Sequence, residues 1–129
     1  MAVSNTDRRL VTATSEAFAR WRYGLAPLHY RVIDDGVGAV VVRLRRRGPA
    51  TELVVAERLG DPRRADRLAA EAMAEVGASH ALRLGPPDIR TGFLPLPGGG
   101  PLLTWRGAAD AGPPPLPNWR LQLRDIELF

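Results

Sequence analysis

Residues 53–77 combine a short apolar strand, a tight turn and one well-delimited helix, and they constrain the fold more than any other part of the chain. Asp61 can serve as the N-cap of the helix, and Pro62 loses no hydrogen bond at the first helical position because the N–H there would have no partner. Gly77 stands where a left-handed C-cap is wanted. One apolar stripe recurs at steps of three and four residues: Ala65, Leu68, Ala69, Ala72, Met73 and Val76. The pattern predicts an amphipathic helix over residues 62–76 that directly follows a strand.

The start of this helix is the place where the sequence indicates a binding site. A helix that directly follows a strand presents its first backbone N–H groups at the end of the sheet, and these groups favour anions such as phosphate. Arg63 and Arg64 add positive charge there, whereas Asp61 adds negative charge. The alternative is a solvated first turn, with Arg67 and Glu71 paired four residues apart. The residues alone leave both interpretations open.

Composition excludes several kinds of site and partner. The chain of 129 residues is long enough for one domain with a hydrophobic core, and without cysteine it can form neither a disulfide nor a thiolate metal site. The two histidines, His29 and His80, lack the spacing of metal ligands, so we expect no metal. No apolar run approaches the length of a membrane span, and the first ten residues lack the apolar core of a signal peptide. We therefore expect a cytoplasmic protein with no membrane partner.

The arginines call for an explanation because all 18 basic residues are arginine, yet the net charge is only +4. The densest group is Arg43, Arg45, Arg46 and Arg47. A nucleic-acid interface would need a wider basic stripe with interleaved aromatic residues, and no aromatic residue falls between Tyr30 and Phe93. We therefore favour a charged hairpin that protects a sheet edge, and a weak arginine-mediated nucleic-acid interface is the less favoured alternative, supported by charge alone.

The order of elements along the chain predicts an α+β fold. Residues 1–14 are expected to be loose, and residues 15–129 to form a single domain that begins with a short helix over 15–23. Thr14 or Ser15 would cap that helix, with Phe18, Trp21 and either Arg22 or Tyr23 facing inward. Strands are predicted over residues 29–33, 38–45, 51–57, 79–84, 102–106 and 119–128. Short turns join the first three strands, so we expect a mixed, mostly antiparallel sheet with the 62–76 helix packed on it.

This order of elements resembles the GCN5-related N-acetyltransferase (GNAT) superfamily. Residues 51–57 resemble the strand before its central helix, 62–76 the helix, 79–84 the strand after it, and 102–106 with 119–128 the closing pair. The hexapeptide FARWRY at residues 18–23, followed by YRV at 30–32, is similar to a helix-to-strand junction in bacterial GNAT proteins of the FemAB-like kind. A GNAT domain has a further strand and helix before these elements. Residues 1–14 are too short and polar to supply them, so the chain resembles the carboxyl-terminal part of a domain truncated at its N-terminus.

The resemblance implies transfer of an acyl group from acetyl-CoA or another acyl-CoA to an amine. It implies that backbone N–H groups of the third strand polarise the thioester carbonyl and that the pyrophosphate lies at the start of the helix. The residues implied to bind the cofactor are Val54, Val55 and Ala56 in the strand, and Arg58, Gly60, Arg63 and Arg64 in and after the turn.

Two departures from the family favour an alternative function. The family pattern Gln/Arg-x-x-Gly-x-Gly/Ala is reduced here to Arg58 and Gly60, one residue too close together. The tyrosine that GNAT enzymes often use as general acid has no counterpart after residues 79–84. The alternative is a non-catalytic module that pairs its sheet with a partner domain or with a second copy in a homodimer.

No residue stands out as a catalytic base. Glu52 and Glu57 flank the third strand, near the position where some GNAT enzymes use a glutamate that acts through a water. Without a pocket around them, we expect both to be surface carboxylates. His80 has no acid beside it that would orient its ring, so we expect it to be structural.

Overall fold

The computed structural model describes residues 9–98, 112 and 114–126. Helix α1 spans Glu16–Tyr23, and strands β1 (Arg31–Asp34), β2 (Gly38–Arg47) and β3 (Ala50–Gly60) follow it. Helix α2 spans Pro62–Glu75, strand β4 spans His80–Leu82, and helix α3 spans Leu123–Ile126. Short 3-10 turns lie at Ala26–Leu28, Ile89–Thr91 and Leu116–Asn118.

The sheet has the order β1-β2-β3-β4. Its first three strands form an antiparallel meander, and β4 joins the edge of β3 in parallel after the chain has crossed over through α2. This arrangement confirms the predicted α+β class with a mixed, mostly antiparallel sheet and one main helix.

Helix α2 covers one face of the sheet and has the predicted boundaries to within one residue. The Asp61 side chain caps it, as predicted, by accepting a hydrogen bond from the backbone N–H of Arg64. The predicted stripe forms the core together with residues of β2 and β3, although Val76 at its end is exposed. The core cluster is Val40, Val42, Leu53, Val55, Ala65, Leu68, Ala69 and Ala72. Gly38 permits close packing, since a Cβ there would lie 2.9 Å from the backbone nitrogen of Ala65.

A β-bulge in β3 decides which side chains face α2. Val41 of β2 is paired with Glu57, and the next residue, Val42, is paired with Val55, so Ala56 is an extra residue without a partner. Val55 packs in the core beneath α2. After the bulge, Glu57 lies on the opposite face, near Tyr23 of α1, and Arg58 turns towards Asp66 of α2. The inserted residue thus decides which face of the sheet Glu57 occupies and which face Arg58 occupies.

Two sequence predictions about the ends of the chain are wrong in the described residues. Ser15 caps α1, as one of the two predicted caps, and Arg22, one of the residues expected to face inward, is buried, but Trp21 is 73 % exposed rather than inward. The final strand predicted over 119–128 is absent as far as the chain is described. In its place, Trp119 forms a single parallel bridge to Leu10, and α3 follows. The predicted strand over 102–106 lies outside the described residues.

Within the described residues, no helix has the length and apolar character needed to cross a membrane.

Candidate functional site: a basic cavity where β3 and β4 diverge

A cavity opens where β4 leaves the edge of β3. The two strands are paired only over Glu52–Val54 and His80–Leu82, while β3 continues to Gly60. The segment after β4, residues 83–88, turns away and forms one wall with the first turns of α2, and residues 116–126 form the opposite wall. The cavity is open to solvent on one side and has a volume of about 670 Å³.

The lining of the cavity combines basic and apolar side chains. Four arginines, Arg9, Arg58, Arg83 and Arg120, line it against two acids, Asp66 and Asp88. The apolar part of the lining is Leu84, Pro86, Pro87, Leu116, Trp119, Leu121 and Ile126. A concave site with an apolar wall and an excess of positive charge is suited to an anionic small molecule with an apolar portion.

A buried carboxylate organises the basic side of the cavity. Arg83 contacts both oxygens of Asp66: its Nη2 donates to Oδ2 at 3.0 Å, and its Nε lies 2.9 Å from Oδ1 in a contact that is ionic rather than a hydrogen bond. Arg58 Nη1 also donates to Oδ1, at 3.1 Å, and the Thr91 hydroxyl donates to Oδ2, at 3.2 Å. One carboxylate therefore stands against two guanidinium groups.

Of the two arginines that contact Asp66, Arg58 carries the positive charge that this carboxylate does not neutralise. Burial, followed by the charge of Arg83, holds the pKa of Arg58 below its usual value, although an arginine remains protonated. Arg83 is also the more fully engaged of the two, because its Nη1 donates to the carbonyl of Pro86 at 2.8 Å and its guanidinium lies over the ring of Phe93.

The seven residues expected to bind a cofactor do not come together at one site. Val54, Val55 and Ala56 are buried inside β3, and Val55 belongs to the core beneath α2. Gly60 has a φ of 69° and packs closely against the backbone of Val37, just before β2. It therefore allows the two chain segments to approach each other and does not line the cavity. Of the seven, Arg58 is the residue that lines the cavity in the described part of the chain.

The two arginines at the start of α2 are paired with acids instead. Arg63 Nε lies 3.4 Å from Asp88 Oδ2. Arg64 donates to Asp35 in the β1–β2 turn and to Glu71 further along α2, the latter at 3.2 Å. Arg64 therefore fastens α2 to the hairpin and does not point into the cavity.

The start of α2 does not fit a pyrophosphate group. The backbone N–H of Arg64 donates to the carboxylate of Asp61 at 2.7 Å, and the N–H of Ala65 donates to the carbonyl of Asp61 at 2.9 Å. Pro62 has no N–H. The protein's own carboxylate thus occupies the position where an anion would bind.

The exposed ion pair between Asp35 and Arg64 gives a pH prediction. Hydrogen bonds from the N–H groups of Gly38 and Val37 and from Arg64 lower the pKa of Asp35 to about 2. A carboxyl whose pKa is lower in the folded state contributes stability above its unfolded pKa and loses it as the pH falls towards the folded value. We therefore expect wild type to be more stable than Asp35→Asn at pH 6, with the difference shrinking between about pH 4 and pH 2. Urea unfolding of both proteins across this range measures it. A difference that stays constant down to pH 2 would contradict it.

Helix α3 closes the edge of β3 that β4 leaves open. The side-chain oxygen of Gln122, just before α3, accepts a hydrogen bond from the backbone N–H of Arg58 at 2.5 Å. This contact satisfies a strand-edge donor that would otherwise face the cavity.

Gln122 therefore has a measurable effect on the backbone of β3. We expect Gln122→Ala to speed amide hydrogen exchange at Arg58 about fivefold, because the hydrogen bond contributes roughly 1 kcal/mol of protection. The amides of β2 serve as the internal control and should be unaffected. Unchanged exchange at Arg58 would show that Gln122 does not hold this edge.

The opposite face of the sheet holds a second buried charge cluster. Glu57 is 2 % exposed, so the expectation of a surface carboxylate is wrong for it. The Tyr23 hydroxyl donates to its Oε2 at 2.7 Å, and Arg124 of α3 donates to its Oε1. Burial, with the hydrogen bond to Glu57, raises the pKa of the Tyr23 hydroxyl. This cluster fastens α1 and α3 to β3 and is closed to a substrate.

Glu52 is likewise buried, so the expectation of a surface carboxylate is wrong for it too, and it lies beside His80. Glu52 Oε1 lies 3.0 Å from His80 Nε2, and Arg45 donates to Oε2 at 2.8 Å. Burial acts to raise the pKa of Glu52, but the hydrogen bonds from Arg45 and His80 outweigh it and hold that pKa below its usual value. The expectation that His80 has no acid beside it is wrong, because parallel pairing of β3 with β4 sets Glu52 opposite His80.

Sequence reasoning missed most of this site. Asp66, Arg83 and Gln122 were not singled out, because their side chains meet only after β3, α2, β4 and α3 have packed together. The signal for Asp66 was present, since a carboxylate between Ala65 and Leu68 lies on the apolar side of the predicted helix and needs a cationic partner. No group of metal-ligating side chains is found among the described residues.

Comparisons with known proteins add no functional name. No family model matches the chain, and no curated protein matches it. A crystal structure of a mutant of TTHA1254 from Thermus thermophilus is similar at 17 % identity, covering 83 % of this chain and 93 % of that chain with a TM-score of 0.46. The wild-type TTHA1254 structure is similar at 17 % identity, covering 75 % and 82 % with a TM-score of 0.40. At this level of similarity neither structure identifies an activity.

Proposed function

We propose that the protein binds an anionic small molecule with an apolar portion in the cavity between β3 and residues 83–88, and that acyl-CoA is the ligand to test first. The observation that carries the proposal is the lining itself, with four arginines against two acids beside an apolar wall. Acyl-CoA is chosen because the GNAT resemblance implies that this ligand binds where two strands diverge ahead of the central helix.

The proposal is for binding without acyl transfer. The two acids that line the cavity are both engaged, Asp66 with two arginines and Asp88 with Arg63. A carboxylate held by cations is a weaker proton acceptor, and both lining acids are paired with arginines. The proposal is therefore a GNAT-like domain with a ligand cavity in which neither of the two described lining acids acts as the proton acceptor.

Ligand binding is tested by thermal unfolding and calorimetry with acetyl-CoA. A ligand that binds only the folded state raises the melting temperature, so we expect a rise of several degrees at millimolar acetyl-CoA. Arg120→Gln should weaken this effect, whereas Arg46→Gln, on the exposed end of β2, removes the same charge far from the cavity and should preserve it. No shift with wild type at millimolar acetyl-CoA would overturn acyl-CoA as the ligand, and no shift with any of the anions tested below would overturn the proposal of an anion-binding cavity.

Turnover is tested separately by the release of free CoA in the presence of primary amines. Because the chain has no cysteine, a thiol reagent detects released CoA without background from the protein. We expect release at the rate found without protein. Release that depends on both protein and amine would show that the domain is an acyltransferase.

A self-pairing sheet, the alternative function, remains a prediction. The edge strands are β1 and β4, and β1 is a short strand with Val32 exposed. Light scattering coupled to size exclusion tests it, and a strict monomer at high protein concentration would argue against it.

A further inference from the structure

We infer that Arg58, where β3 enters the cavity, is the anchor for a phosphate or carboxylate group of the ligand, and that the start of α2 is not. This inference rests on the proposed function, and it moves the anion from the backbone at the helix start to a side chain inside the cavity.

Arg83 alone is sufficient to neutralise the charge of Asp66. Arg83 approaches both oxygens of Asp66 from the side, and its own side chain is only 4 % exposed. This pair is electrically complete without Arg58. Arg58 then brings a second positive charge to a carboxylate that is already neutralised, with its side chain 16 % exposed. A guanidinium held in this way lacks a full counter-charge, and an anion in the cavity would supply one.

One end of the Arg58 guanidinium is bonded to Asp66, and the other end is available to a ligand. Nη1 is bonded to Asp66, while Nη2 makes no hydrogen bond within the described residues. It lies beside Gly85, where a Cβ would come within 3.0 Å of it. Gly85 has a φ of 121°, a backbone conformation that glycine adopts freely. Because Gly85 has no side chain, the segment after β4 leaves Nη2 of Arg58 uncovered on that side, and a guanidinium presents its N–H groups in the geometry that phosphate and carboxylate oxygens accept.

The competing anion site, at the start of α2, is held by contacts with other groups of the protein. The backbone N–H groups of Arg64 and Ala65 at the start of α2 are bonded to Asp61, and the side chains of Arg63 and Arg64 are paired with Asp88 and Asp35. An anion placed there would have to displace a covalently attached carboxylate. An anion at Arg58 displaces no protein group.

The experiment compares Arg58→Gln with Arg63→Gln and Arg64→Gln by thermal unfolding at constant ionic strength. The probes are pyrophosphate and malonate, which identify whether a phosphate or a dicarboxylate is preferred, and acetyl-CoA. We expect at least one simple anion at 5–10 mM (roughly the concentration that a weak single-arginine site needs) to raise the melting temperature of wild type by about 3 °C or more. Arg63→Gln and Arg64→Gln should keep this shift, and Arg58→Gln should lose it.

A second measurement separates an anchor from a merely structural arginine. Asp66 keeps both contacts from Arg83 in Arg58→Gln, so without an anion this variant should melt within about 5 °C of wild type. If Arg58→Gln does not fold, Arg58 is a structural partner of Asp66 and the inference is overturned. Arg58→Lys, which keeps the charge but loses the paired N–H groups, should weaken anion binding at least tenfold.

The outcomes distinguish this inference from the proposed function. A shift with acetyl-CoA that survives in Arg58→Gln but is lost in Arg63→Gln overturns the anchor and leaves acyl-CoA binding intact. A shift with pyrophosphate or malonate that needs Arg58, together with no response to acetyl-CoA, supports the anchor and overturns acyl-CoA as the ligand. No response of wild type to either simple anion overturns the anchor.

Discussion

Asp66→Asn is expected to lower the free energy of unfolding by about 3–5 kcal/mol. Asp66 is 1 % exposed, and it is the counter-charge for Arg83 and a contact of Arg58. Asparagine preserves the shape of the side chain but leaves two guanidinium groups buried with no carboxylate between them. Urea unfolding of both proteins measures the difference.

Asp88→Asn is the matched control for this prediction. Asp88 lines the same cavity, but its carboxylate is partly exposed and lies 3.4 Å from a half-exposed arginine. We expect the control to cost less than about 1 kcal/mol. The anion proposal adds a specific feature: pyrophosphate should stabilise Asp66→Asn more than it stabilises wild type, because the anion then replaces the missing charge. Equal costs for the two substitutions would show that the Asp66 cluster does not hold the cavity wall.

Glu57→Gln is expected to have a comparable cost, about 3–5 kcal/mol, on the other face of the sheet. Glu57 is the carboxylate that faces Arg124, and the Arg124 side chain is 4 % exposed. Neutralising Glu57 leaves that guanidinium buried with only the more distant Asp125 as counter-charge. Tyr23 would still have an acceptor for its hydroxyl, so the lost stability reports the ion pair rather than the tyrosine hydrogen bond.

The control for Glu57 is Glu71→Gln, the same chemical change at an exposed glutamate paired with Arg64. It should cost a few tenths of a kcal/mol. Combining Glu57→Gln with Arg124→Met removes both buried charges and should recover part of the lost stability, since an uncompensated charge costs more than an absent pair. A double variant no more stable than Glu57→Gln would mean that the stability resides in the other contacts of Arg124, such as the carbonyl of Thr12.

The sequence predicted the strand–turn–helix unit well because its signals are local. Asp61, Pro62 and Gly77 mark the ends of α2, and the spacing of Ala65, Leu68, Ala69 and Ala72 fixes the buried face. The same reasoning failed for the carboxyl-terminal residues. Alternation of polar and apolar residues over 119–126 indicates a strand, yet contacts with Leu10, Arg58 and Glu57, distant in sequence, hold this segment as a bridge and a short helix.

The candidate site was predictable only in part, for a related reason. Arg58 could be named from its place before Gly60, but the bulge at Ala56 that turns it towards Asp66 leaves no mark in the sequence. The same bulge buries Glu57, which simple alternation from Val55 would have placed beneath α2. Arg63 and Arg64 looked like the anion site because helix starts attract anions, and the pairing of Arg64 with Asp35 depends on how the β1–β2 turn folds back over α2.

Amide chemical shifts recorded during titration with acetyl-CoA test most directly whether an anionic ligand binds beside Arg58 between the diverging strands. Binding there should change the amide signals of Arg58, Gly85 and Leu121 most strongly, since all three lie in the cavity wall. The amides of Arg63, Arg64 and Ala65 at the start of α2 should change less. No change at any amide, or changes confined to the start of α2, would contradict binding of acetyl-CoA at Arg58.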